Sequence, residues 1–162
     1  EYEFSELKSE NSQKQQDKST PQYFYLTIPK LNIENAVIET NSLNLSPDET
    51  LGHYNGSSLP GNTGNAFVYG HSVLPFFYNP KNYKTIFSTL DKLEPGDDIF
   101  VEYDNNVFTY VVEDQQVLKI EEVKPLDNVK PDYLNHSTMT LMTCWPPGTK
   151  AKRLVVNTTL KD

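Results

Sequence analysis

Cys144 is the only cysteine of the chain, and it is followed by Trp145-Pro146-Pro147-Gly148-Thr149 and then by Arg153, the only arginine. A thiol is a strong nucleophile only as thiolate, and an ordinary cysteine pKa of about 8.5 leaves little thiolate at neutral pH. A nearby imidazole can act as the base and later as the acid that serves a departing amine. A nearby guanidinium keeps its charge and can stabilise a tetrahedral oxyanion, and lysine does not replace its fixed fork. His71 directly follows Gly70, at the end of a short apolar run, where scaffold would position it and a loop would present it. His53 lies in a Gly-rich stretch and is the second-choice histidine; His136 precedes the final strand pair. Each of these residues also has a plain structural reading. A free cysteine is commonly a small core residue, a loop histidine a hydrogen-bonding or surface group, and an arginine a solvated or paired surface charge. The uneven cation count weakens the last of these. Of fourteen Lys and Arg residues all but one are lysine, and the exception stands beside the cysteine loop.

Strands must position these groups. Residues 138–143 mix β-branched and apolar positions in the manner of a strand. Trp145-Pro146-Pro147-Gly148-Thr149 cannot continue it, because proline brings no N–H to a ladder. Arg153-Leu154-Val155-Val156 starts a second strand, so thiol and guanidinium meet across the loop if the two strands are neighbours.

Upstream, residues 23–28 read as a strand ended by Pro29, and residues 31–33 with 36–38 as the next. Ser46-Pro47-Asp48-Glu49 has the form of a capped helical turn. Residues 52–65 read as a loop and 66–69 as a short buried strand. Residues 83–93 carry apolar positions at helical spacing. A hairpin is expected over 98–103 and 107–112, a short strand at 117–120, and a helical turn near 131–134. About eight short strands with one or two small helices suit an all-β, closed barrel.

The chain has 162 residues and a formal net charge of −8. The length suffices for one domain with a real core. The charge, with no basic cluster beyond Lys150, Lys152 and Arg153, argues against a nucleic-acid surface. One cysteine excludes an internal disulfide framework and a multi-cysteine zinc site. No apolar run reaches the roughly 18 residues that a membrane span needs. Residues 1–22 are polar and read as a tail or stalk, which leaves 23–162 as the domain proper. The acidic pairs Glu113-Asp114 and Glu121-Glu122 read as a solvated face, with a calcium site as the minor alternative. No other metal site is expected.

Taken together, three segments resemble the sortases, cysteine transpeptidases that fasten proteins to the bacterial cell wall or join pilins. Thr140-Leu141-Met142-Thr143-Cys144 resembles the family's Thr-Leu-x-Thr-Cys signature. Arg153-Leu154-Val155-Val156 resembles the strand start that holds its arginine. Gly61-x-x-Gly64-Asn65 through Gly70-His71 resembles the run that ends in its histidine. Gly52-His53-Tyr54 with Leu59-Pro60-Gly61, and Leu90-x-x-Leu93-x-x-Gly96-Asp97, agree as well. The likeness spans residues 23–160.

The resemblance implies an eight-stranded β-barrel and a two-step acyl transfer without a cofactor. Cys144 would attack the Thr–Gly carbonyl of a Leu-Pro-x-Thr-Gly-like sorting signal and form a thioacyl enzyme. His71 would serve the leaving and entering amines. Arg153 would hold the oxyanion, with the Thr143 hydroxyl or a backbone N–H as its partner. The acceptor would be a peptidoglycan-precursor amine or a pilin lysine. The expected location is the outer face of a bacterial membrane, with an N-terminal anchor outside these residues. The connection over 113–137 is expected to border the groove leading to Cys144 and to set signal preference. Residues 1–22 lack the Asp-Pro-aromatic lid motif of pilin-assembling class C enzymes, whereas His71-Ser72-Val73-Leu74-Pro75 resembles their histidine loop. Residues 52–61 are closer to classes D and E, and the class stays open. Two other readings stand beside this one. One is a β-rich adhesin or pilin domain with Cys144 as a buried structural thiol. The other is a cysteine hydrolase of another fold, for which the caspase-type and papain-type contexts are absent.

Overall fold

Alternating apolar residues drive the chain into strands, and the strands close on themselves. The computed structural model describes residues 19–127 and 136–162. Its eight strands are β1 (Tyr23–Ile28), β2 (Ile33–Ser42), β3 (Leu51–Tyr54), β4 (Gly64–Tyr69), β5 (Asp98–Tyr103), β6 (Asn106–Leu118), β7 (Ser137–Trp145) and β8 (Lys152–Leu160). They form a closed barrel in the order β1-β2-β3-β4-β7-β8-β6-β5, and β5 pairs back onto β1. Two neighbours are parallel, β2 with β3 and β4 with β7; the other pairs are antiparallel. Closure leaves no free sheet edge. Phe24, Leu26, Ile28, Ile38, Leu51, Val68, Ile99, Val101, Leu141 and Val156 fill the interior with no solvent exposure.

The expected number of strands is found, with one exchange. Residues 117–120 are not a separate strand, because β6 runs on to Leu118 through a bulge between Val112 and Asp114. In their place stands β3, inside what reads as a Gly-rich loop. Leu51 enters the core there and pairs with Ile38. The helical turn expected from Ser46 is absent: residues 43–50 hold only bends and irregular backbone, and the Ser46 N–H is taken by Asn44 Oδ1 at 2.9 Å. The hairpin closes more tightly than expected, through Asp104 and Asn105, both with positive φ (53° and 66°), a geometry these residue types tolerate.

Residues 83–93 do not form the expected amphipathic helix. They run as successive turns with bonds from Thr85 N to Asn82 O, Ser88 N to Thr85 O and Leu93 N to Leu90 O. Side-chain oxygens compete for the backbone groups a helix would need. Thr85 Oγ1 donates to Asn79 O at 2.6 Å, Ser88 Oγ donates to Thr85 O at 2.7 Å, and Asn82 Oδ1 accepts from Lys84 N. The apolar spacing still serves the core, since Ile86, Phe87, Leu90 and Leu93 are all buried. The helical turn expected near 131–134 lies outside the described residues, as do residues 1–18 of the tail. Among the described residues no helix is long and apolar enough to cross a membrane.

Candidate active site

The parallel pairing of β4 with β7 decides where the chemistry sits. Asn65 lies beside Thr138, Phe67 beside Thr140 and Tyr69 beside Met142. Both strands therefore end at the same rim of the barrel. Gly70-His71 leaves β4 there, and Cys144 stands at the penultimate position of β7. Both line one cavity of about 290 Å3 with Leu74, Phe77, Gly148 and Lys150.

Several bonds hold this rim together. The Thr143 hydroxyl donates to Gly70 O at 2.8 Å, and Gly70 N donates to Met142 O at 3.1 Å. Ser72 Oγ donates to the Cys144 carbonyl at 2.9 Å. The His71 carbonyl accepts the Phe87 N–H at 2.9 Å, and Ser88 Oγ accepts the Val73 N–H at 2.8 Å. Gly70 has to be glycine, because a Cβ there would run into Leu51 and Phe87. The other wall is equally close. Gly148 sits at φ +83° with its missing Cβ only 2.8 Å from Leu74, so the loop after Cys144 packs directly on the loop after His71.

Alternation separates the roles along β7. Met139 and Leu141 point into the core, which puts Thr143 on the inward face and Cys144 on the outward one. Thr143 is buried at 2% exposure, with its hydroxyl proton committed to Gly70 O. Arg153 is the register partner of Cys144 on β8, so the two side chains rise from the same face. Its Nη1 donates to the carbonyls of Lys152 at 3.0 Å and Lys150 at 3.3 Å. Cys144 and His71, far apart in sequence, thus share one cavity at the end of the barrel, with Arg153 opposite Cys144 in register.

The other two histidines are elsewhere. His136 is exposed at the start of β7, about 26 Å of strand from Cys144. His53 is completely buried in β3. Its Nδ1 accepts the Asn41 N–H at 2.9 Å, its Nε2 faces Ser58 O at 2.9 Å and Ser57 Oγ at 3.0 Å, and its ring meets Phe24 edge-on. Burial pushes its imidazole below the ordinary value of 6.5, against a smaller opposing effect of the Ser58 carbonyl. The unfolded chain therefore takes up a proton that the folded chain refuses. This contribution to stability is complete above about pH 6.5 and is lost as pH falls toward the depressed folded value. We expect His53→Ala to cost about 2–4 kcal/mol in urea denaturation. We expect His53→Gln to remove part of the stability loss seen between pH 7.5 and pH 5.

Two residues of the rim carried no signal that pointed to them. Ser72 directly follows the histidine, and nothing in the sequence ties it to Cys144. Asp48 reads as the first turn of a helix, yet its Oδ1 lies 3.1 Å from His71 Nε2. In the acidic pairs considered for calcium, Asp114 Oδ1 accepts from Asn157 Nδ2 at 2.8 Å, and Glu122 Oε1 from Lys119 N at 2.7 Å. Among the described residues no group of three or more His, Cys, Asp or Glu could hold a metal ion.

A second cavity, of about 250 Å3, opens on the same outer face. The register makes Thr140 of β7 and Asn157 of β8 neighbours, with Phe67 of β4 on one side and Gln116 of β6 nearby. Residues 122–124 and Asp127 form its far wall. Its floor is a chain of polar groups. Asn65 Nδ2 donates to Thr140 Oγ1 at 3.0 Å, and Thr140 Oγ1 donates to Asn157 Oδ1 at 2.9 Å. Residues 113–118, expected to be part of a long connection, are the end of β6. Gln116 and Leu118 of this strand end line the groove together with residues 122–124 and Asp127.

The sortase-domain family profile matches residues 26–161. Among curated proteins none matches the sequence significantly. Among solved structures, the chain is similar to a lid mutant of sortase A from Corynebacterium diphtheriae, with TM-score 0.71 and 26% identity over 88% of this chain and 72% of that one. It is similar to the pilus-related sortase C of Group B Streptococcus, with TM-score 0.71 and 26% identity over 87% and 68%. Sortase C-1 from Actinomyces oris gives 0.67 and 26% over 86% and 73%. A profile match across most of the chain, the eight-stranded barrel and the convergence of cysteine, histidine and arginine at one rim agree: the chain belongs to the sortase family.

Proposed function

We propose that this protein is a cysteine transpeptidase that cleaves a Leu-Pro-x-Thr-Gly-like sorting signal between Thr and Gly and passes the acyl group to an amine. The observation that carries the reading is the shared cavity of Cys144 and His71, with Arg153 opposite Cys144 in register. The thiol first gives its proton to His71. The Cys144 sulfur then bonds to the threonine carbonyl carbon, and the displaced π electrons make the carbonyl oxygen an oxyanion beside Arg153. As the oxyanion collapses, the C–N bond breaks and His71 protonates the departing glycine amine. An incoming amine then attacks the thioester and gives its proton to His71, and the sulfur leaves as thiolate. Thr143 is buried and turned inward, so we assign it the support of Gly70 in place of the expected oxyanion contact, which falls to Arg153 with a backbone N–H.

The groove over Phe67, Thr140 and Asn157 suits the signal's leading residues. Thr140 lies about 13 Å of strand from Cys144, and an extended peptide covers about 10 Å over three residues. The acceptor is a peptidoglycan-precursor amine or a pilin lysine, and the working location is the outer face of the bacterial membrane. Mass spectrometry after incubation with Leu-Pro-x-Thr-Gly peptides, with and without triglycine, tests this. The expected result is a Cys144 acyl adduct that triglycine discharges into a ligated product. No adduct across a panel of signals, together with a thiol slow to alkylate, would favour a non-catalytic surface domain. Peptide cleavage that added amine does not divert would favour a hydrolase.

A further inference from the structure

The β2–β3 connection, residues 43–50, reaches over the end of β4 and sets the Asp48 carboxylate against His71. Oδ1 is 3.1 Å from Nε2. That nitrogen is covered from solvent and has no aligned hydrogen-bond partner among the described residues, so the carboxylate faces it at contact distance and becomes an ion-pair partner when the ring is protonated. The placement is built into the fold. Pro47 is buried beside Asp48. Asn44 anchors the connection: its carbonyl accepts the Tyr69 hydroxyl at 2.8 Å, its N–H donates to Ser42 Oγ at 3.1 Å, and its Oδ1 accepts the Ser46 N–H. Tyr69 stands two residues before His71. The Tyr69 ring lies where a Cβ on Gly52 would be. The strand that presents the imidazole therefore also clamps the loop that presents the carboxylate.

We propose that Asp48 is a positioning residue for the reaction of the Cys144 site, holding the Nε2 side of His71 so that Nδ1 is the nitrogen that exchanges protons. This rests on the transpeptidase reading of His71. A carboxylate beside one ring nitrogen favours the tautomer with its proton there and leaves the lone pair on the other nitrogen. When His71 has taken the thiol proton, the same carboxylate faces the imidazolium charge. With Nε2 turned to Asp48, Nδ1–H is the donor to the departing amine, and the bare Nδ1 is the acceptor for the incoming one. Asp48 is 58% exposed in its side chain, so water screens the pair and the effect is moderate.

The test uses the full chain with Asp48→Asn and Asp48→Ala. We expect kcat for peptide transfer to fall about tenfold in both, with KM within about twofold and thermal melting unchanged. We expect sodium formate to restore Asp48→Ala in part, because the exposed position admits a small carboxylate. Unchanged kcat overturns the proposal. A raised kcat overturns it as well and makes Asp48 a restraint on His71. A loss that formate does not repair makes the residue structural only. The 15N shifts of the His71 ring, assigned by their loss in His71→Ala, decide the matter independently of turnover. Wild type should hold the Nε2–H tautomer and Asp48→Ala should shift toward Nδ1–H; identical tautomers in both sink the proposal. Absence of transfer by wild type on every peptide would count against the transpeptidase reading, and the ring shifts would still judge Asp48.

Discussion

Cys144→Ala leaves the barrel intact and reduces transfer by about ten-thousand-fold or more, to the level that binding alone supports. Under the transpeptidase reading the sulfur makes the bond on which both half-reactions depend, and the chain contains no second thiol. The fold tolerates the change because Cys144 is only partly buried and looks outward from β7. Alanine keeps the Cβ, and the stability change is expected to stay within about 1 kcal/mol. Circular dichroism and thermal melting check the fold, and intact mass checks that no acyl adduct forms. Residual turnover close to wild type would remove Cys144 from the mechanism.

Arg153→Lys is the second large effect, about a hundred- to a thousand-fold in kcat, although it preserves the charge. The guanidinium is a planar fork whose orientation follows from its anchoring. Nη1 is fixed by the carbonyls of Lys150 and Lys152, at the β8 position directly opposite Cys144. An ammonium has one nitrogen to divide between those carbonyls and an oxyanion. It would keep the ground-state contacts at the expense of the charged intermediate. Single-turnover acylation resolves this step, with KM expected to move far less than the acylation rate. Equal acylation by the lysine variant would place the oxyanion elsewhere.

The parts of this architecture legible in sequence were those written in local chemistry. Cys144, Arg153 and Gly70-His71 stood out by type and by position at strand ends, and the register brings all three to one rim. The closed barrel followed from strand count. What stayed illegible was decided by partners far along the chain. β3 looked like loop because Gly52 and the nearby Gly56 suggested turns, yet Leu51 is drawn in by its pairing with Ile38. Residues 83–93 looked helical because i, i+3 apolar spacing serves successive turns as well as a helix. The Asn79, Asn82, Thr85 and Ser88 side chains then decided between them. Thr143 belonged to the signature, but its inward direction depends on the parity of β7. Asp48 left no trace, since contact with His71 arises only after β2, β3 and β4 are laid side by side.

The parallel β4–β7 contact also bears on when the protein becomes reactive. The residues it joins, such as Gly64 with Ser137 and Tyr69 with Met142, lie far apart in the chain, and closing such a loop comes at an entropic cost before any contact rewards it. Synthesis, moreover, makes β4 and His71 well before β7 and β8, so Cys144 and then its register partner Arg153 come later. A chain made only as far as β4 accordingly carries His71 without Cys144. Under the transpeptidase reading, reactivity is then a late event of folding, because Cys144 and His71 share a cavity only once β4 and β7 are paired.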